Sequence, residues 1–305
     1  MRVFVTGATG WIGTPVVAGL LADGHEVVGL ARSDASAAAL AAAGAQAHRG
    51  SLEDPDGLRA AAAASDGVVH LAFDHGRAFS GDYPAAAAAD RRAIEAFGAA
   101  LAGTDRPLVI ASGLAGHAPG TVATEDDAPD PDGPGGERTR SERAVLDLAP
   151  SGVRTASLRL PPTVHGDGDR GFVATLVGIA RDRGVSGYIG DGSASWPAVH
   201  RLDAARLFRS ALTSAPAGSV LHAVAEEGVP VRAIAEAIGR QLDVPVAPVA
   251  PQDADAHFGW LAGFLALDVR ASSALTRERL GWQPTGPGLV EDIERGAYSG
   301  AAVAG

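Results

Sequence analysis

The sequence predicts an α/β protein: a doubly wound parallel sheet followed by a smaller, less regular C-terminal substrate lobe. Three observations lead there. Short β-branched runs alternate with helical runs through the first half of the chain. Those strands are apolar on both faces, as a sheet covered by helices on each side requires. The first strand also breaks off into a glycine-rich turn that opens the first helix.

Residues 2–6 form that first strand, and 11–22 a helix with apolar residues at Ile12, Val16 and Leu20, stopped by Asp23-Gly24. A second strand at 25–30, an alanine-rich helix at 35–43 closed by Gly44 and a short strand at 45–48 follow. Asp54-Pro55 opens the next helix, because proline suits the first helical turn. Strands at 67–72 and 107–111 flank a long helix at 85–102; a helix at 139–148 and a strand at 153–160 complete the alternation. Beyond Leu160 the chain is punctuated by proline and glycine, with helices at 203–212, 231–242, 257–267 and 289–295. The expected division is a nucleotide-binding domain over 1–160, with segments near 199–223 returning to it, and a second lobe mainly over 161–305. The acid-rich stretch 118–137 reads as a long loop or lid.

Composition narrows the chemistry. The 305 residues are 46% hydrophobic, enough for a sizeable core, and the net charge is −11. That sign argues against a nucleic-acid or anionic-membrane surface. There is no cysteine, and all 25 basic residues are arginine. Disulfides, thiolate nucleophiles and cysteine metal sites are thus excluded, as are lysine Schiff bases and a phosphate-loop lysine. Nine histidines form no His-Glu-x-x-His or comparable cluster, so no metal is expected. Lysine and asparagine, both absent, share AA-starting codons, so a GC-rich genome explains the bias. No apolar run approaches the roughly 18 residues of a membrane span. The amino terminus runs straight into a strand, unlike a secretory leader, so the expected location is cytoplasmic.

The sharpest motif is Gly7-Ala8-Thr9-Gly10-Trp11-Ile12-Gly13 between the first strand and the first helix. Gly7 permits the tight turn, Gly10 lets the backbone approach a pyrophosphate, and Gly13 lets helix and strand pack closely. The helix N-terminus then offers free N–H groups and a positive dipole end to phosphates. The dinucleotide is expected to be NADP rather than NAD. Strand two ends Ala31-Arg32-Ser33 with no acid before Asp34, so Arg32 can pair with a 2′-phosphate and Ser33 can add a bond.

This spacing resembles the extended or atypical short-chain dehydrogenase/reductases, the NAD-dependent epimerase/dehydratase-like group, and the resemblance covers nearly the whole chain. It implies a Rossmann-like fold. It also implies that Leu71, Ala72 and Phe73 lie beside the cofactor, that Ser51 and Leu52 contact adenine, and that Pro161 and Val164 flank the nicotinamide. Ser112 falls at the catalytic serine region. Family members usually add a tyrosine and a lysine four residues apart on one helix face. This chain departs from that pattern: Tyr83, Tyr188 and Tyr298 lie outside the relevant helix, and lysine is absent. Anchoring on Ser141 puts Arg138 and Glu142 at the two positions; a shift of one gives Thr139 and Arg143.

Candidate catalytic residues are therefore Ser112, Arg138, Thr139, Arg143 and His200, with His165 and His75 as further titratable groups. Asp203 reads as a helix cap. Trp196-Pro197 and Phe258-Gly259-Trp260 read either as core or as an apolar substrate pocket. The function expected is NADP-dependent reduction of a carbonyl or related group of a small molecule, with a non-standard proton donor. Two alternatives stand beside it: a redox-neutral epimerase, dehydratase or cyclase on the same fold, and a non-catalytic dinucleotide sensor. A small molecule is the expected partner, and a homodimer is compatible with the sequence.

Overall fold

A computed structural model describes residues 1–298 apart from Ala115, Ala118, Pro119 and Pro134. Seven parallel strands form the central sheet. In spatial order they are Ser219–His222, Arg154–Leu160, β5 (Pro107–Gly113), β4 (Gly67–His70), β1 (Arg2–Thr6), β2 (Glu26–Ala31) and β3 (Gln46–Arg49). The order reverses between β1 and β4, and a crevice at the carboxyl ends of such strands is where α/β proteins bind ligands.

Alternation along the strands sorts the core into two layers. Val3 and Val5 pack with Val16 and Leu20 of α1 (Gly13–Ala22) and with Phe208 and Leu212 of the helix Arg201–Ser214. Phe4, between them in sequence, points the other way, into a cluster with Leu58, Phe97 and Val145 from three other helices. A third cluster, including Val173, Trp196, Ile234 and Phe258, is built from the second half of the chain. The strands Thr163–His165 and Ser195–His200 pair there in parallel.

Several elements differ from the sequence reading for local reasons. The helix expected at 139–148 begins earlier, as Gly136–Leu146, after Gly135 turns through φ +80°. The helix expected at 257–267 is broken into Ala254–Phe258, a 3-10 turn at Gly259–Leu261, and Ala262–Leu265, because Gly259 adopts φ +58°. The described part of the acid-rich loop is tied down. Val122–Ala123 pairs with Arg270–Ala271, and the buried Glu125 carboxylate accepts bonds from Thr276 N (2.6 Å) and Oγ1 (2.5 Å). Asp126 pairs with Arg279 at 2.8 Å. Among the described residues, no helix is long and apolar enough to cross a membrane.

Candidate cofactor cradle and active site

The glycine turn folds tightly on itself. Gly7 has φ +64°, and a Cβ there would lie 2.8 Å from the backbone of Leu71 and Ala72. A Cβ on Gly13 would fall 1.9 Å from the Gly7 carbonyl oxygen, so no other residue fits without moving the turn. Gly10 N donates to Gly7 O (2.9 Å), and Thr14 N to Gly10 O (3.0 Å). The amides of Trp11 and Ile12 find no protein acceptor among the described residues. They stand at the N-terminus of α1, where orphan N–H groups and the helix dipole suit an anion. Thr9 is exposed on the turn, and Trp11 Nε1 donates to Val164 O at 2.9 Å. A diphosphate fits this arrangement.

An open cavity of about 660 Å³ lies beside the ends of β2 and β3, lined by Arg32, Ser33, Asp34, Arg49, Ser51 and Asp54 among others. Arg32 is exposed and has no ion pair or side-chain hydrogen bond among the described residues. Asp34 is paired with Arg49, a residue the sequence reading did not single out. Ser33 and Ser51 have local roles as well. Ser33 Oγ accepts Ser36 N (3.1 Å) as the cap of the helix Asp34–Ala42, and Ser51 Oγ accepts Glu53 N (3.2 Å). Leu52 packs against the cluster that contains Phe4.

At the carboxyl end of β4 a buried polar chain begins. Thr6 Oγ1 lies 2.6 Å from His70 Nδ1, and His70 Nε2 lies 3.0 Å from Asp90 Oδ1. Asp90 comes from the helix Tyr83–Leu101 and is 2% exposed. Its second oxygen accepts Arg138 Nη1 at 2.9 Å. Arg138 also donates to the carbonyl of Ala111 and lies 4.6 Å over the Phe73 ring. Burial alone would raise the Asp90 carboxyl, but Arg138 and the His70 bond outweigh it and hold it well below the usual carboxylate range.

A second network lies along the same helix face. Glu142 is buried, accepts Ser157 Oγ (3.0 Å) and pairs with Arg159 at 2.6 Å. Arg159 also donates to Asp127 O (2.8 Å) and contacts His222 Nε2 (3.2 Å), while His222 Nδ1 lies 2.7 Å from Ser272 O. Ser112, Arg159 and His222 sit in one register row across three strands. Ser112 is 6% exposed, and its hydroxyl makes no hydrogen bond among the described residues. Arg138 and Glu142, one helical turn apart, are thus both committed to buried ion pairs of opposite polarity.

The remaining expectations divide. Arg143 is exposed and has no partner among the described residues, because five positions along a helix turn it about 140° from Arg138. Thr139 is half-buried. His200, expected to face substrate, caps the helix Arg201–Ser214, its Nδ1 accepting Leu202 N at 3.4 Å. Its ring stands against that of His165, whose Nδ1 lies 2.6 Å from Asp292. Asp203 does not cap: it sits in the first turn, and its carboxylate accepts Thr285 N (3.1 Å) and Gly286 N (2.8 Å). Trp196 and Phe258 are core residues, while Trp260 is 52% exposed and packs on Phe172. His75 packs on Phe73, and burial lowers its pKa. Pro161 is buried and Val164 half-buried, and Leu71 packs against the α1 side of the core.

Fold and cradle define a dinucleotide-binding α/β protein. The chain belongs to the NAD dependent epimerase/dehydratase family, whose model it matches over residues 3–224. An uncharacterized protein of Schizosaccharomyces pombe is 49% identical over 300 residues, spanning 98% of this chain and 100% of that protein. An uncharacterized protein of Saccharomyces cerevisiae is 44% identical, spanning 98% and 99%. Among solved structures, UDP-glucose 4-epimerase of Thermotoga maritima with UDP-glucose is 20% identical over 98% of each chain, with a TM-score of 0.77. The dTDP-glucose 4,6-dehydratase of Streptomyces venezuelae with NAD bound is also 20% identical, over 97% of this chain and 96% of that one, with a TM-score of 0.78. At those identities the likeness is one of fold.

Proposed function

We propose that the protein is an NADP-dependent oxidoreductase that reduces a carbonyl or related group of a small organic substrate. One observation carries the choice of cofactor: Arg32, exposed and without an ion pair among the described residues, stands in the cavity at the end of β2. An acid there would bind ribose hydroxyls and repel a 2′-phosphate, whereas a guanidinium pairs with it through two bonds. Of the acids lining that cavity, Asp34 is paired with Arg49.

In this reading Gly7, Thr9, Gly10, Trp11, Ile12 and Gly13 hold the diphosphate, with Arg32, Ser33, Ser51 and Leu52 at the adenosine end. Leu71, Ala72, Phe73, Pro161 and Val164 surround the nicotinamide half. A bound nicotinamide supplies or accepts a hydride. The Ser112 hydroxyl, which makes no hydrogen bond among the described residues, donates one to the substrate oxygen. Arg138, fixed by Asp90 and Ala111 O, stabilises negative charge on that oxygen but is too strong a base to release a proton. The proton then comes from water reaching Ser112. The capping bond of His200 and the exposure of Arg143 place both behind Ser112 and Arg138 as candidates.

Calorimetric titration with NADPH and NADH tests the cofactor. NADPH is expected to bind about tenfold more tightly or better, and Arg32→Ala should bring the ratio close to one. A ratio that Arg32→Ala leaves unchanged refutes the assignment. Membership in the epimerase/dehydratase family favours a second reading, in which hydride is returned and no cofactor is consumed. Stoichiometric NADPH oxidation with a carbonyl panel supports the first reading; product formation without net oxidation supports the second.

A further inference from the structure

We infer that Arg201 is a positioning residue for the diphosphate cradle and acts through Trp11. The inference rests on the dinucleotide reading above and goes further, because it assigns a role to a residue outside the cradle. Trp11 belongs to the glycine turn, yet its indole reaches across to the segment that leaves the central sheet. Its edge is fixed by the bond from Nε1 to Val164 O (2.9 Å). Its face carries the Arg201 guanidinium, with Cζ 4.1 Å from the ring centroid. A cation over an indole face is the strongest of the cation–π pairings.

Arg201 is itself held in place. Its Nη1 donates to Asp167 O at 3.2 Å. Gly166 has φ +141°, and a Cβ there would sit 3.2 Å from both Cγ and Cδ of Arg201, so the glycine leaves room for the arginine stem. Gly168 lies on the same ring, its would-be Cβ 3.8 Å from Trp11 Cζ3. The indole is therefore gripped by a segment about 150 residues away in sequence.

The grip bears on the cradle because it adds a long-range hold on Trp11 to the local bonds of Gly7, Gly10 and Thr14. Ile12, the N-cap of α1, makes no side-chain capping bond. The amides of Trp11 and Ile12 themselves are among those with no acceptor among the described residues. Fixing the Trp11 side chain orders the backbone that presents those amides, which lowers the entropy lost when an anion is bound.

The test is NADPH affinity of the full-length protein by calorimetry, with tryptophan fluorescence as a second readout and apo thermal stability measured alongside. Arg201→Gln should weaken NADPH binding roughly fivefold to tenfold, and Arg201→Lys should recover part of it. In a Trp11→Leu background, Arg201→Gln should have no further effect. Unchanged affinity in Arg201→Gln, with or without a loss of stability, overturns the role. An equal loss in both backgrounds also overturns it, since Arg201 would then meet the phosphates directly. If the wild-type chain binds neither NADPH nor NADH, the dinucleotide reading fails first, a result distinct from both.

Discussion

Replacing Asp90 by asparagine removes one charge from a site where the carboxylate serves two partners. Asp90 is 2% exposed, and its oxygens meet His70 Nε2 at 3.0 Å and Arg138 Nη1 at 2.9 Å. The surrounding bonds fix the polarity. The Asp90 carboxylate is ionised and only accepts, so the ring proton on His70 Nε2 points at it, while His70 Nδ1 meets Thr6 Oγ1 at 2.6 Å. Both partners are therefore donors. An asparagine offers one acceptor and one NH₂ group, so one buried donor must face another, and the Arg138 charge loses its counterion. Breaking a buried ion pair from one side costs about 3–5 kcal/mol. The Arg138 side chain is 17% exposed and can recover some hydration, which favours the lower end, about 3 kcal/mol. Urea unfolding followed by circular dichroism measures this directly. Arg138→Met should make the loss partly redundant, so the double variant should be clearly more stable than the sum of the singles predicts. A loss under about 1 kcal/mol, or strict additivity with Arg138→Met, would refute the view that the pair is a buried, mutually dependent unit.

Other outcomes follow from the same geometry. Gly13→Ala places a methyl 1.9 Å from Gly7 O and should abolish NADPH binding, with a stability loss of about 2 kcal/mol or more; normal cofactor affinity would sink this account of the turn. Glu142→Gln leaves Arg159 inside the sheet without its carboxylate and should cost about 3 kcal/mol; a neutral result in thermal unfolding would contradict it. Burial pushes the His222 imidazole down to about 4, and its bonds to Ser272 O and Arg159 require the neutral ring. A depressed histidine pKa contributes stability that is complete above about pH 6.5 and lost as pH falls toward 4, here on the order of 3 kcal/mol. His222→Gln should flatten that part of the stability–pH curve, and an unaltered curve would show that His222 does not set it.

What the sequence determined by itself was whatever depends on neighbours along the chain. The glycine turn is legible because φ +64° at Gly7 and the close approach of Gly13 to Gly7 are requirements of a seven-residue segment. The strands are legible because burial on both faces leaves continuous apolar runs. The missing tyrosine and lysine also show in the sequence, as does Arg32 at the end of β2. The tertiary structure alone decided which partners the polar side chains near that position take. Arg138 meets Asp90 across 48 positions, Arg159 meets His222 across 63, and Glu125 meets Thr276 across 151. An acid on the apolar face of an alanine-rich helix, as at Asp90, is a faint signal that a buried cation must face it, but nothing in the sequence names the partner. A buried charge survives only beside its counterion, and which side chains become counterions is set by how strands and helices stack.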